Sequence, residues 1–186
     1  MSLLKDYDLL PGDAVLVYTS SLIDRAIQWF SKLHEYKKPD AKVSHVALFL
    51  HYDEKGIPIV AEALSHVIVH DGLEYNKTKY TVHVARPKLT LTPEMRSQME
   101  AYCKGKAGED YSYLQLAAFA FQRIFNLKKV GDWNKSAVVC SEFYCETFDD
   151  LFQFKVFPGK VDWDVTPLDI DESPNMVRIA PKPGAK

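Results

Sequence analysis

The chain has 186 residues, close to the size of one domain, with 47% hydrophobic and 26% charged residues, which excludes global disorder. Lysine and arginine number 23 against 25 acidic residues, so nothing points to a general polyanion binder or a nucleic-acid partner. The three cysteines, Cys103, Cys140 and Cys145, form no CxxC pair, which argues against a disulfide framework and a zinc ribbon.

Pro11-Gly12-Asp13 signals a turn, and Ala14 to Tyr18 after it reads as a buried strand. Ser20-Ser21 offers an N-cap to a helix carrying Leu22, Ile23, Ala26, Ile27, Phe30 and Leu33, which ends near His34. Val43 to Tyr52 is strand-like, and Asp53 to Gly56 turns it into a hairpin partner, Ile57 to Ala63. Val67 to His70 and Tyr80 to Arg86 give two more strands, joined by the polar segment Asp71 to Lys79.

Helical patterns then take over. Thr92 caps a helix with Pro93 at its first position, running to about Lys104, and Gly105 to Gly108 breaks it. Tyr113 to Leu127 is an aromatic-rich helix, and Ser136 to Phe152 a third with Cys140 near its start. The tail from about residue 161, with Pro167, Pro174, Pro181 and Pro183, is expected to wrap the surface. Strands first and helices second predict an α+β fold, an antiparallel sheet packed against helices in a single domain over 1–186. Met1 to Leu10 has no apolar core of signal-peptide length, and the longest hydrophobic run is Leu116 to Phe121. The expectation is a cytoplasmic protein with no transmembrane segment.

Cys140 is the best candidate thiol. A cysteine in the first turn of a helix feels unpaired backbone N–H groups, which favour thiolate and can hold an oxyanion. The alternative is a buried packing cysteine, the role also expected of Cys103 and Cys145. His45 is the best base, set in an apolar strand where its ring must find a hydrogen-bond partner. Glu62, in Ile59-Val60-Ala61-Glu62-Ala63, is the one carboxylate in an apolar setting. Two adjacent antiparallel strands could set it beside His45, or it could face water on an edge strand. His51 is read as solvated and Asp13 as a turn or cap residue. His66 and His70 share a spacing of four, but β-branched Val67-Ile68-Val69 between them weakens a helical His-x3-His metal site. No phosphate-loop, dinucleotide, zincin or serine-hydrolase motif is present, so no cofactor and no metal are expected.

The ordered set Pro11-Gly12-Asp13-Ala14-Val15-Leu16-Val17, Val43-Ser44-His45-Val46-Ala47-Leu48, Val60-Ala61-Glu62-Ala63, Gly108-Glu109-Asp110-Tyr111-Ser112-Tyr113 and Val139-Cys140-Ser141-Glu142 resembles one family. It is the circularly permuted, NlpC-type papain-like enzymes, in their YiiX/YaeF-like permuted amidase branch. The order, with His45 before Cys140, is the specific part of the resemblance, which runs from about Pro11 to Thr166-Pro167. It implies a permuted papain-like fold and a cysteine amidase or peptidase. By it Cys140 is the nucleophile, His45 the general base and acid, Glu62 the third polar residue, and Tyr111 a donor to the developing oxyanion. Where the family often has aspartate after that tyrosine, this chain has Ser112. The implied partners are a peptide, a peptidoglycan fragment or a lipid-like acyl substrate. A lipid hydrolase or acyltransferase with the same triad, and a non-catalytic lipid- or peptide-binding module on this fold, are the competing readings.

Overall fold

A computed structural model describes residues 3–18, 43–111, 137–138 and 140–184. The helices expected over 20–34 and 113–127 lie outside the described residues. Strand β1 (Ala14–Tyr18) is an unbroken apolar run because it has neighbours on both edges and packing on both faces. It pairs with β2 (His45–Tyr52) on one side and β5 (Thr81–Pro87) on the other. Strands β3 (Pro58–Ala63) and β4 (Val67–Asp71) extend the sheet beyond β2. The Asp53–Gly56 turn joins β2 to β3 by Asp53 accepting the Lys55 and Ile57 N–H groups.

Helix α1 (Pro93–Gly105) starts as its sequence predicts, with the Thr92 side chain accepting from the Met95 N–H and proline in the first turn. Two short strands, β6 (Asp110–Tyr111) and β7 (Ala137–Val138), pair in parallel, Tyr111 opposite Val138. The helix expected from Ser136 therefore begins later, as α2 (Cys140–Phe152). The β-branched run before the cysteine favours an extended backbone over a helical turn.

The tail is a second correction. It does not merely wrap the surface: Thr166 and Asp169 form a reciprocal capping box around Pro167, opening α3 (Pro167–Glu172). Leu168 and Ile170 of α3 are buried in the core. Beyond α3, β8 (Met176–Ile179) pairs with β5 along one edge of the sheet. The result is an α+β fold on a six-stranded antiparallel sheet ordered β4-β3-β2-β1-β5-β8.

Side-chain alternation splits the core in two. Leu16, Val46, Leu48 and Ala61 face the described helices, where Cys103, Phe143 and Phe148 are buried against them. Val15, Phe49, Val60 and Val82 face the other way, under Leu4, Tyr7 and Tyr75. Gly12 ties α2 to the sheet: its N–H donates to the Phe49 carbonyl at 2.9 Å and its carbonyl accepts from the Tyr144 hydroxyl at 2.7 Å. Its φ is 97°, and a Cβ would lie 2.9 Å from Leu91 Cδ1, so only glycine fits. Asp13 beside it accepts from the Leu10 N–H, the turn role expected of it, and is also fully buried against the Arg86 guanidinium at 2.7 and 2.8 Å. Among the described residues no helix is long and apolar enough to cross a membrane.

Candidate active site

Leu48 stands opposite Ala61 in the β2–β3 ladder, so His45 and Glu62, each an odd number of residues away, leave the sheet on the same face. His45 Nε2 is hydrogen-bonded to Glu62 Oε2. The Glu62 carboxylate is almost wholly buried, at 1% exposure, and makes further bonds. Its Oε2 accepts from the Tyr75 hydroxyl, and its Oε1 bonds His70 Nε2 at 2.5 Å. His70 reaches it because Val60 pairs with His70 and Glu62 with Ile68, which makes Glu62 and His70 diagonal neighbours on one face. Tyr75 reaches it from a 3-10 turn (Gly72–Asn76) that follows β4 and is capped by Asp71 accepting from the Leu73 N–H.

Three groups converging on one ionised carboxylate fix the proton positions. A carboxylate only accepts, so His45, His70 and Tyr75 must all donate. His45 therefore carries its proton on Nε2, which leaves Nδ1 for Cys140. Burial opposes charge on both partners. For Glu62, the charge on His45 and the bonds from His45, His70 and Tyr75 outweigh burial and hold the carboxyl below the usual range. For His45, burial favours the neutral ring, but the sulfur of Cys140 and the carboxylate of Glu62, by charge and by hydrogen bond, lift it well above the ordinary histidine value. The bond to Glu62 likewise raises His70 against its partial burial.

Cys140 is the first residue of α2 and is 4% exposed. It lies within hydrogen-bonding reach of His45. Thiol and imidazole meet where a helix and a strand both begin, beside backbone N–H groups that have no partner within the helix. The cluster is nearly closed: His45 is 14% exposed on its side chain and His70, at 31%, is its wettest ring. Cys103 and Cys145 are fully buried; burial pushes the Cys103 thiol up to about 12 and raises Cys145 as well. The Tyr111 backbone stands opposite Val138, which lies two residues before Cys140, and the Tyr111 side chain lies outside the described residues.

Among the described residues, the other histidines do not join the cluster; His83 is bonded to Tyr18 at 2.9 Å. His51, half-exposed, stands 3.3 Å from Glu100, and His66 is bonded to Ser65. A helical His-x3-His arrangement is absent, since Val67–Asp71 is a strand. His70 and Tyr75 are the residues that sequence reasoning missed. The available signal was the pairing of β3 with β4, which puts His70 on the Glu62 face once the register is set.

No protein-family model matches the chain, and no curated protein matches it. Its fold is similar to that of the metalloprotein yiiX from Escherichia coli O157:H7, with a TM-score of 0.63 and 15% identity. The similarity covers 92% of this chain and 97% of that one. At that identity the likeness is one of fold: the chain has a YiiX-like α+β architecture.

Proposed function

We propose that this protein is a cysteine hydrolase of amide bonds on a permuted papain-like fold, with Cys140 as nucleophile, His45 as general base and acid, and Glu62 orienting the imidazole. The observation that carries the reading is His45 held between Cys140 and Glu62 and raised by both. The order of the elements supports it too, since the strand bearing His45 precedes the helix bearing Cys140.

The chemistry follows from the proton positions. Nδ1 of His45 takes the thiol proton, and Sγ attacks the acyl carbon to form a tetrahedral oxyanion. Backbone N–H groups at the start of α2 hold that oxyanion, with the Tyr111 hydroxyl as a further donor in this proposal. Imidazolium returns its proton to the leaving amine and a thioester remains. Water, deprotonated by His45, then releases the acid and restores the thiol. Glu62 stays ionised throughout, stabilising the imidazolium without reacting. Peptide and peptidoglycan-type amides are the substrates this mechanism serves most directly.

The similar E. coli protein is described as a metalloprotein, which makes a metal at this cluster a fair question. The residues do not fit one. Both histidine Nε2 atoms are spent on the Glu62 oxygens, and Tyr75 donates to the same carboxylate, so the donor atoms face one another and share no common vertex. Among the described residues no other group of histidine, cysteine and carboxylate side chains is arranged to hold an ion.

The test is alkylation of Cys140 by iodoacetamide against pH, beside a His45→Ala variant. Thiolate reactivity near neutral pH that disappears with His45 is the expected result. Labelling only above about pH 8.5, unchanged by the substitution, returns Cys140 to an ordinary thiol and refutes the proposal.

A further inference from the structure

The Glu62 carboxylate serves two imidazoles. A conventional cysteine–histidine–carboxylate set uses one, so His70 and the tyrosine beside it need an account. His45 and Tyr75 share Oε2, while His70 alone occupies Oε1. Without the bond at Oε1 the carboxylate could rotate about its last torsion, a broad and soft one, and carry Oε2 away from His45. The Tyr75 ring is itself packed edge-on against Tyr80, at 5.6 Å between centroids, and Tyr80 is bonded to Glu74.

We propose that His70 is a positioning residue for His45: it fixes Oε1 of Glu62 so that Oε2 is presented to the imidazole, with Tyr75 as the second clamp. This deepens the reading of Cys140 and His45 as the reacting pair and rests on it for its functional meaning. The coupling of the two rings through Glu62 rests on geometry alone.

The groups that face this carboxylate are His45 from β2, His70 from β4 and Tyr75 from the 3-10 turn, with Cys140 of α2 acting on His45 and Tyr75. His70 is in turn faced by Glu62 and Asp71. Two imidazoles on one carboxylate compete for its charge. Protonating the outer ring, His70, loosens the hold of Glu62 on a proton at His45. His70 thus positions the inner ring and carries the state of the solvent to it.

The experiment follows histidine ring protons by NMR against pH in the full chain, in His70→Gln and in His70→Ala, and times Cys140 alkylation by iodoacetamide on the same samples. Glutamine keeps an N–H donor for Oε1 but cannot take a charge. In His70→Gln the His45 midpoint is expected to move upward by about 0.5 pH unit or more, because the competing imidazolium is gone. Alkylation at pH 7 should fall about tenfold in His70→Ala, the worth of one hydrogen bond to a charged group, and be rescued by glutamine. The midpoint decides. If His45 titrates identically in all three proteins, the positioning role is overturned, whatever the alkylation rates. If the midpoint moves while Cys140 stays inert in every protein, the coupling stands and the reading of Cys140 as nucleophile falls.

Discussion

Replacing Glu62 with glutamine isolates what the carboxylate does. The shape is kept, but one acceptor oxygen and an NH2 now meet the three donors His45, His70 and Tyr75. The less costly orientation turns the NH2 toward His70, whose side chain is 31% exposed and can turn over, and keeps the oxygen for His45 and Tyr75. His45 then retains a hydrogen bond but loses a full charge. Two unit charges about 4 Å apart at an effective dielectric of about 20 attract by about 4 kcal/mol. A bond to a neutral oxygen recovers about 1–1.5 kcal/mol of that, which leaves about 2.5–3 kcal/mol. At about 1.36 kcal/mol per factor of ten, the imidazolium form loses about 70- to 160-fold in relative population. The alkylation rate of Cys140 at pH 7 should fall by that factor, measured by intact mass after timed iodoacetamide exposure between pH 5 and about 9. Circular dichroism on the same samples confirms folding. A folded Glu62→Gln protein that labels within about twofold of wild type, with the same pH dependence, refutes the electrostatic argument.

The same cluster sets a stability window. Glu62, held low, contributes stability that is present above its ordinary value of 4.5 and is lost as pH falls through the lowered one. His45 and His70, held high, contribute stability present below 6.5 and lost as pH rises through the raised values. Wild type should therefore exceed Glu62→Gln most between pH 4.5 and 6.5, checked by urea midpoints across pH; a difference independent of pH contradicts the linkage. In the folded protein at pH 8, iodoacetamide should reach neither Cys103 nor Cys145, as peptide mapping will report, because burial keeps both thiols protonated and enclosed. Gly12→Ala should cost more than about 1 kcal/mol in thermal or urea unfolding, since alanine at that φ is strained and its methyl meets Leu91. Phe148→Ala, emptying the middle of the helical face, should cost about 3–5 kcal/mol by the same measurement.

Periodicity and turn chemistry made much of the fold legible. The Asp53–Gly56 turn fixes which strand pairs with β2, and with it the meeting of His45 and Glu62 on one face. Thr92 and Pro93 mark the start of α1 to the residue. The tail was harder to read because proline suggests irregular chain, whereas Pro167 opens α3 and the capping box lies in Thr166 and Asp169 around it. Tyr75 was hidden for another reason. Asp71 to Lys79 is polar and aperiodic, and its 3-10 turn depends on contacts remote in sequence: Gly72 lies under Leu4 and Val60, where a Cβ would come within 3.1 and 3.3 Å of their side chains. His70 looked like half of a spacing pair with His66, but a strand sends it to a different partner.

The sheet acts as a partition between the two halves of the cluster. Tyr75, which anchors the carboxylate, is rooted in the packing on one side, while Cys140 and its helix are rooted in the packing on the other. Thinning the helical side would shift the sulfur while leaving the proton-handling network in register. Thinning the opposite side would slacken that network under an undisturbed thiol. Damage to either core is thus readable as a distinct lesion, one of sulfur placement and the other of proton affinity.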